Sequence, residues 1–338
     1  MLRRAADVRL ASTRRALPTI GQFASLGGGP MPLLPEIEGL LAVLAEAGAP
    51  PISQLSVEEA RAASSNMLAL AGDPIPVGDV REITIPVGDA TIGARVYTPE
   101  GDGPHPIVMF FHGGGWVICN LDTHDNVARI IARDASALVV SVDYRMAPEH
   151  KFPTAVLDAF AATQWGAANA DVLGGDASRI AVCGDSAGGN ISAVVCQLAR
   201  DRGGPALRFA ALIYPATDMT DRGGSMVDNA TGYFLELADM EWFESHYVAP
   251  DQRADPLASP LRHPDLSGLP PTFVATCEFD PLRDQGERYA DALRAAGVVV
   301  TSQRYDGAIH AIANMTGVLE CGRRLMADVA AQLRAALH

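Results

Sequence analysis

From position 35 the apolar residues Ile37, Leu40, Leu41 and Leu44 recur at i, i+3, i+4 and i+7, which predicts a helix with one apolar face ending at Gly48, before Pro50 and Pro51. Ser56 followed three residues later by Glu59 is a capping-box pattern. It opens a second helix expected to run to about Ala71, where Gly72, Asp73 and Pro74 stop it. Residues 1–75 are therefore read as helical. The period then changes. Residues 81–87 and 91–97 alternate apolar with polar around Gly88 and Asp89, as a half-solvated antiparallel hairpin does. Beyond it the strands become continuously apolar, at 107–111, 137–142, 180–183, 209–214, 272–277 and 298–304, mostly separated by helical patterns such as 154–168, 187–202 and 281–296. Strands buried on both faces and joined by helices predict an α/β fold with a mostly parallel, doubly wound sheet.

Residues 216–265 break this rhythm. They carry no strand signal but hold Met226, Tyr233, Phe234, Leu235, Met240, Trp242, Phe243 and Tyr247, so they are expected to form a lid over a site rather than a linker. The expected organisation is N-terminal helices over 1–75, a first core part over 76–215, a cap insertion over 216–265 and a second core part over 266–338.

A chain of 338 residues suits one large α/β domain with an accessory layer. Its 40 acidic against 26 basic residues give a net charge of −14, which argues against a nucleic-acid partner or an anionic membrane surface. Five cysteines without a C-x-x-C pair fit buried, reduced thiols in the cytoplasm. Arg3, Arg4, Arg9, Arg14 and Arg15 crowd the start of the chain without a continuous apolar run. A basic amphipathic helix lying on the fold is expected there, ahead of a cleaved targeting segment. No cofactor and no metal site is expected.

Two glycine-framed strings carry the chemistry. Gly184-Asp-Ser-Ala-Gly188 is a G-x-S-x-G match at the end of a strand and the start of a helix, where a strained turn lifts the serine into a cleft. Its flanking positions must be very small, and both are glycine. Ser186 is thus the candidate nucleophile. The competing readings are a plain glycine turn with a capping serine and a degenerate dinucleotide fingerprint. In the second, Ser186 stands where the middle glycine is needed. The other string, His112-Gly-Gly-Gly-Trp116, follows the 107–111 strand and offers backbone N–H groups for an oxyanion. Gly113 and Gly114 are the first choice among its three glycines, with the N–H of Ala187 as the remaining donor. His112 reads as a hydrogen-bonder holding that loop.

Of the eight histidines, His338 is terminal and His310 follows the last strand after a short loop over 306–309, where a side chain can reach across the strand ends. It is the candidate base. The orienting acid should lie between serine and histidine in the chain. Asp280, just beyond the 272–277 strand, is preferred over Glu278, while Asp306 is too near His310.

HGGGW at 112–116, GDSAGG at 184–189, DPLRD at 280–284 and His310 together resemble the hormone-sensitive-lipase-like esterases of the α/β-hydrolase superfamily. The stretch 144–153, YRMAPEHKFP, is similar to that family's YRLAPEHPFP, with Met146 and Lys151 departing from it. The resemblance covers about residue 80 to the end. It implies an eight-stranded hydrolase sheet, a helical cap from the N-terminal helices plus the segment after the sixth strand, and hydrolysis of short-acyl esters without a cofactor. Where the family often has His-Gly-Phe, this chain has His310-Ala311-Ile312, which bears on the wall of the acyl pocket. Trp116, Asp185, Tyr214, Phe234 and Ile312 are the candidate pocket residues. An amidase or formamidase with the same triad and a non-catalytic small-molecule receptor on the same fold are the alternative functions. The partner expected is a small ester, with a homodimer through the last strand as a further expectation.

Overall fold

The computed structural model describes residues 32–338. The basic helix expected over the arginine-rich start lies outside them. The chain opens with helices α1 (Pro35–Ala47), α2 (Val57–Ser64) and α3 (Leu68–Ala71). Ser56 caps α2 as its pattern requires, its Oγ accepting from the Glu59 N–H at 3.2 Å while its own N–H donates to Glu59 Oε2 at 2.9 Å. That helix does not run unbroken to Ala71, however; a 3₁₀ turn at Ser65–Met67 separates α2 from α3.

Strands β1 (Asp79–Val87) and β2 (Ala90–Thr98) form the expected antiparallel hairpin. Then follow β3 (His105–Phe111), α4 (Asp125–Ala135), β4 (Leu138–Asp143), α5 (Thr154–Ala168), α6 (Ala170–Leu173), β5 (Gly175–Asp185), α7 (Ala187–Asp201) and β6 (Phe209–Ile213). After β6 come the helices α8 (Ser225–Asp228) and α9 (Leu237–Tyr247), and the chain closes with β7 (Thr272–Phe279), α10 (Arg283–Ala295), β8 (Val300–Ile309) and α11 (Glu320–Leu337). The eight strands make one sheet in the order β1-β2-β4-β3-β5-β6-β7-β8, in which β2 pairs antiparallel with both neighbours and every pair from β4 to β8 is parallel.

The central strands show why their sequences are apolar without interruption. In β3, Ile107, Met109 and Phe111 face one core and Val108 and Phe110 the other, and β4 and β5 divide their residues in the same way. Helices α5, α7 and α10 close the first core with Ala159, Ile191, Val194 and Leu293. Helices α4 and α11 close the second with Val127, Ile131, Leu325 and Val329. Each face therefore excludes water, and truncating a ring such as Phe110 to alanine costs about 3–5 kcal/mol.

The last strand is longer than its sequence suggests. Residues 306–309, expected as a loop, continue β8, because an irregularity opposite Cys277 and Phe279 lets Ile309 pair with Phe279. No helix among the described residues is long and apolar enough to cross a membrane.

Candidate active site

Strand β5 runs straight into the turn at Ser186, which has φ 56° and ψ −116°, a conformation that few residues with a side chain adopt. What holds it is close packing. A Cβ on Gly184 would overlap the Gly188 carbonyl, and one on Gly188 would overlap the carbonyl of Phe111 in β3. Backbone contacts of that kind cannot give way, so both flanks must be glycine. The Ser186 N–H donates to the Ile213 carbonyl at 2.8 Å, tying the turn to β6. Ser186 is partly exposed, whereas the groups around it are buried.

His310 comes directly after β8. Its Nε2 lies 2.9 Å from Ser186 Oγ, and its Nδ1 lies 2.7 Å from Asp280 Oδ2. A carboxylate only accepts, so Nδ1 carries the proton and Nε2 is left as the acceptor for the serine hydroxyl. Asp280 is wholly buried, and its second oxygen accepts from the Leu282 N–H at 2.8 Å. Glu278, the rival acid, instead accepts from the Gly307 N–H through Oε2 at 2.7 Å. The loop bearing Asp280 is held from the insertion. Asn229 Nδ2 donates to the carbonyls of Glu278 and Asp280 at 3.1 and 3.2 Å, and Ser225 Oγ donates to that of Pro281 at 2.8 Å.

The glycine string is placed differently from its expected role. The N–H of Gly113 donates to Asp185 Oδ1 at 2.9 Å, so it is spent inside the protein and unavailable to an oxyanion. Gly114 follows at φ 113° and Gly115 at φ 59°, and neither N–H meets a protein acceptor among the described residues, nor does that of Ala187 at the first position of α7. His112 holds the loop as expected. Its Nδ1 donates to the Gly113 carbonyl at 2.7 Å, and its ring stacks on Tyr144 at 4.5 Å between centroids. Burial and the neighbouring His124 lower its pKa to about 4, so this imidazole stays neutral.

Three candidate pocket residues have other tasks. Asp185 is buried beneath the glycine string, bound to Gly113 and His124. Burial alone would raise its carboxyl, yet His124 and the Gly113 N–H more than offset this and leave it below its ordinary value. Tyr214 is buried with its ring 4.6 Å from that of His310, and its hydroxyl accepts from the Ala313 N–H at 3.3 Å, so it backs the imidazole. Ile312 has no exposed surface and belongs to the core shared with α11. Of the other two, Trp116 is nearly buried and stacks on Tyr247 of α9 at 4.6 Å, while Phe234 is half-buried at φ 75°.

Sequence reasoning gave no site role to His124, Asn229 and Ser225, and placed Phe243 only among the apolar residues of the insertion. Their signals were local: His124 reads as a helix-start residue, and the other three as parts of an insertion without a motif. Only folding brings them to the glycine string and the Asp280 loop.

A family model described as an alpha/beta hydrolase fold matches residues 108–314, the span that holds all three aligned side chains. The chain belongs to the hormone-sensitive-lipase-like carboxylesterase family of the α/β-hydrolase superfamily. Among its relatives, the carboxylic ester hydrolase LipN of Mycobacterium tuberculosis is 47% identical over 73% of this chain and 67% of its own length. The carboxylesterase NlhH of the same organism is 41% identical over 90% of this chain and 97% of its own. A thermostable esterase from Pseudomonas putida superposes with a TM-score of 0.88 at 38% identity, covering 92% of this chain and 99% of that one. The α/β-hydrolase sheet expected from the motifs is the sheet observed.

Proposed function

We propose that this α/β-hydrolase cleaves carboxylic esters of short acyl chains through Ser186, His310 and Asp280. One observation carries the reading: the Ser186 hydroxyl, the His310 imidazole and the buried Asp280 carboxylate are joined at 2.9 and 2.7 Å, and a carboxylate that only accepts leaves Nε2 free to take the serine proton. Ser186 Oγ attacks the ester carbonyl while Nε2 of His310 takes its proton, and the Asp280 carboxylate stabilises the imidazolium that forms. Charge on the carbonyl oxygen is met by the N–H groups of Gly114, Gly115 and Ala187, at the start of a helix whose dipole favours it. The imidazolium then returns the proton to the departing alkoxide. Water attacks the acyl-serine by the same route, with His310 as base, so ester and water give acid and alcohol.

The short acyl preference draws on the family resemblance. The cap reading is supported by a contact between the N-terminal segment and α9, where the Ser53 N–H donates to Asp239 Oδ1 at 2.9 Å. Arg61 of α2 ties that segment to the core loops, donating to the Val117 and Ala147 carbonyls at 2.9 Å each. Labelling with a fluorophosphonate and an acyl-length series of aryl esters test the proposal. Ser186→Ala is expected to abolish labelling and to lower kcat by about 10⁴-fold or more with Tm retained. Near-normal turnover by that variant would sink the mechanism, and activity that rises with acyl length would sink the short-chain preference.

A further inference from the structure

The Asp185 carboxylate lies one residue from the nucleophile and binds the first N–H of the glycine string, yet it has no part in the triad. Its other contact is the ring of His124, whose Nε2 is 3.2 Å from Oδ1 and 3.3 Å from Oδ2. His124 is only 2% exposed. The proton on its ring can be placed by counting donors. The Gly113 N–H also points toward Nε2, but at 3.3 Å, and it already has a better acceptor in Asp185 at 2.9 Å. An unprotonated Nε2 would set its lone pair against a carboxylate that only accepts, so Nε2 carries a hydrogen and donates it to Asp185.

The lowered pKa of Asp185 agrees with this donor and with the second one from Gly113. The opposite side of the ring is anchored as well. Nδ1 is 3.0 Å from Thr123 Oγ1, which accepts from the Asn120 N–H at 3.0 Å and has one hydrogen to share between Nδ1 and the Asn120 carbonyl at 2.9 Å. Asn314, four residues past His310, donates to the Thr123 carbonyl at 3.3 Å. A single buried chain of hydrogen bonds thus runs from the turn after His310, through Thr123 and His124, to Asp185 and Gly113.

We propose that His124, acting through Asp185, is a positioning residue for the oxyanion loop: it holds the Asp185 carboxylate against the Gly113 N–H and thereby aims the next two N–H groups, those of Gly114 and Gly115, at the ester bound by Ser186. The Gly113 N–H belongs to the peptide unit of the His112 carbonyl, and the Gly114 N–H to the next unit, whose Gly113 carbonyl is held by His112 Nδ1 at 2.7 Å; the two units meet at the Gly113 Cα. Releasing the first unit frees the Gly113 φ and ψ that set the direction of the donors that follow. Such donors act on charge that develops in the transition state, so loosening them lowers kcat while leaving KM nearly unchanged.

This inference rests on the triad reading above. Turnover is therefore expressed per serine titrated to completion with a fluorophosphonate; absence of labelling in the parent enzyme would count against the triad and not against the positioning role. His124→Ala and Asp185→Leu are expected to lower kcat per titrated serine by about tenfold or more with KM within twofold of the parent. His124→Gln, whose amide N–H can still donate to Asp185, and Asp185→Asn, whose carbonyl can still accept from Gly113, are expected to recover most of that loss. A residue with only a structural role would reduce the titratable fraction and Tm but leave turnover per serine unchanged. If Asp185→Leu does not fold, the two His124 variants carry the comparison. In ¹⁵N-histidine spectra of the parent enzyme, His124 should show a protonated Nε2. An unprotonated Nε2, turnover per serine within twofold of the parent in His124→Ala, or equal losses in His124→Ala and His124→Gln would each overturn the proposal.

Discussion

The ring of Phe243 in α9 rests against Gly115 so closely that a methyl group added there would overlap ring atoms Cγ, Cδ1 and Cδ2. Gly115 also sits at φ 59°, in the left-handed region that an L side chain adopts at a cost. Gly115→Ala is therefore expected to lower kcat by about tenfold or more. Adding Phe243→Ala should return part of that loss by making room, and a double-mutant cycle on kcat/KM reads the coupling. Strictly additive effects would contradict the close contact.

Asp280 fixes the tautomer of His310. Asp280→Asn can place an amide N–H against Nδ1, which moves the imidazole proton to Nε2 and removes the acceptor for the Ser186 hydroxyl. We expect kcat to fall by about 10³–10⁴-fold with little change in Tm. Steady-state assays beside thermal melts measure both.

Asn229 binds two carbonyls of the loop that presents Asp280. Asn229→Ala takes one donor from each carbonyl while Arg283 still serves both, so the cost is that of lost hydrogen bonds, about 0.5–1.5 kcal/mol each. The expected result is a lowered Tm together with reduced kcat. Full activity in a destabilised variant would show that the insertion steadies the fold without steadying the acid.

His112 gives a stability signature. Burial and His124 lower its pKa to about 4 in the folded protein, while the unfolded chain titrates near ~6.5. Between these values the unfolded state binds more protons. The contribution of neutral His112 is thus complete above ~6.5 and is lost as pH falls toward about 4, on the order of 3 kcal/mol in all. His112→Asn, which keeps an N–H for the Gly113 carbonyl, should flatten that part of the curve of unfolding free energy against pH. An unchanged slope between pH 6.5 and 4 would remove His112 from the acid lability.

The elbow was legible because its geometry demands residue types at set spacings: no side chain fits between the Ser186 turn and β3, so glycines stand two before and two after. The order of Ser186, Asp280 and His310 was legible for a similar reason, since each ends a strand of a parallel sheet whose carboxyl ends share one rim. Residues 306–309 misled, because Gly307 reads as a turn while its N–H and carbonyl are in fact bound, to Glu278 and to the Leu34 N–H. Gly113 misled in another way. Three adjacent glycines look equivalent until a carboxylate 72 residues away takes the N–H of the first.

What the sequence by itself determined was the set of strands, their burial on both faces, and the turn at Ser186, because burial periodicity and steric room are local properties of a chain. What only the tertiary structure decided was how hydrogen bonds are shared out around that turn. Each donor and acceptor has limited capacity, and in a buried site the claim upon it comes from residues remote in sequence: Asp185 on Gly113, His124 on Asp185, Asn229 on the Asp280 loop. Spacing along the chain carries no record of those claims until the strands are side by side.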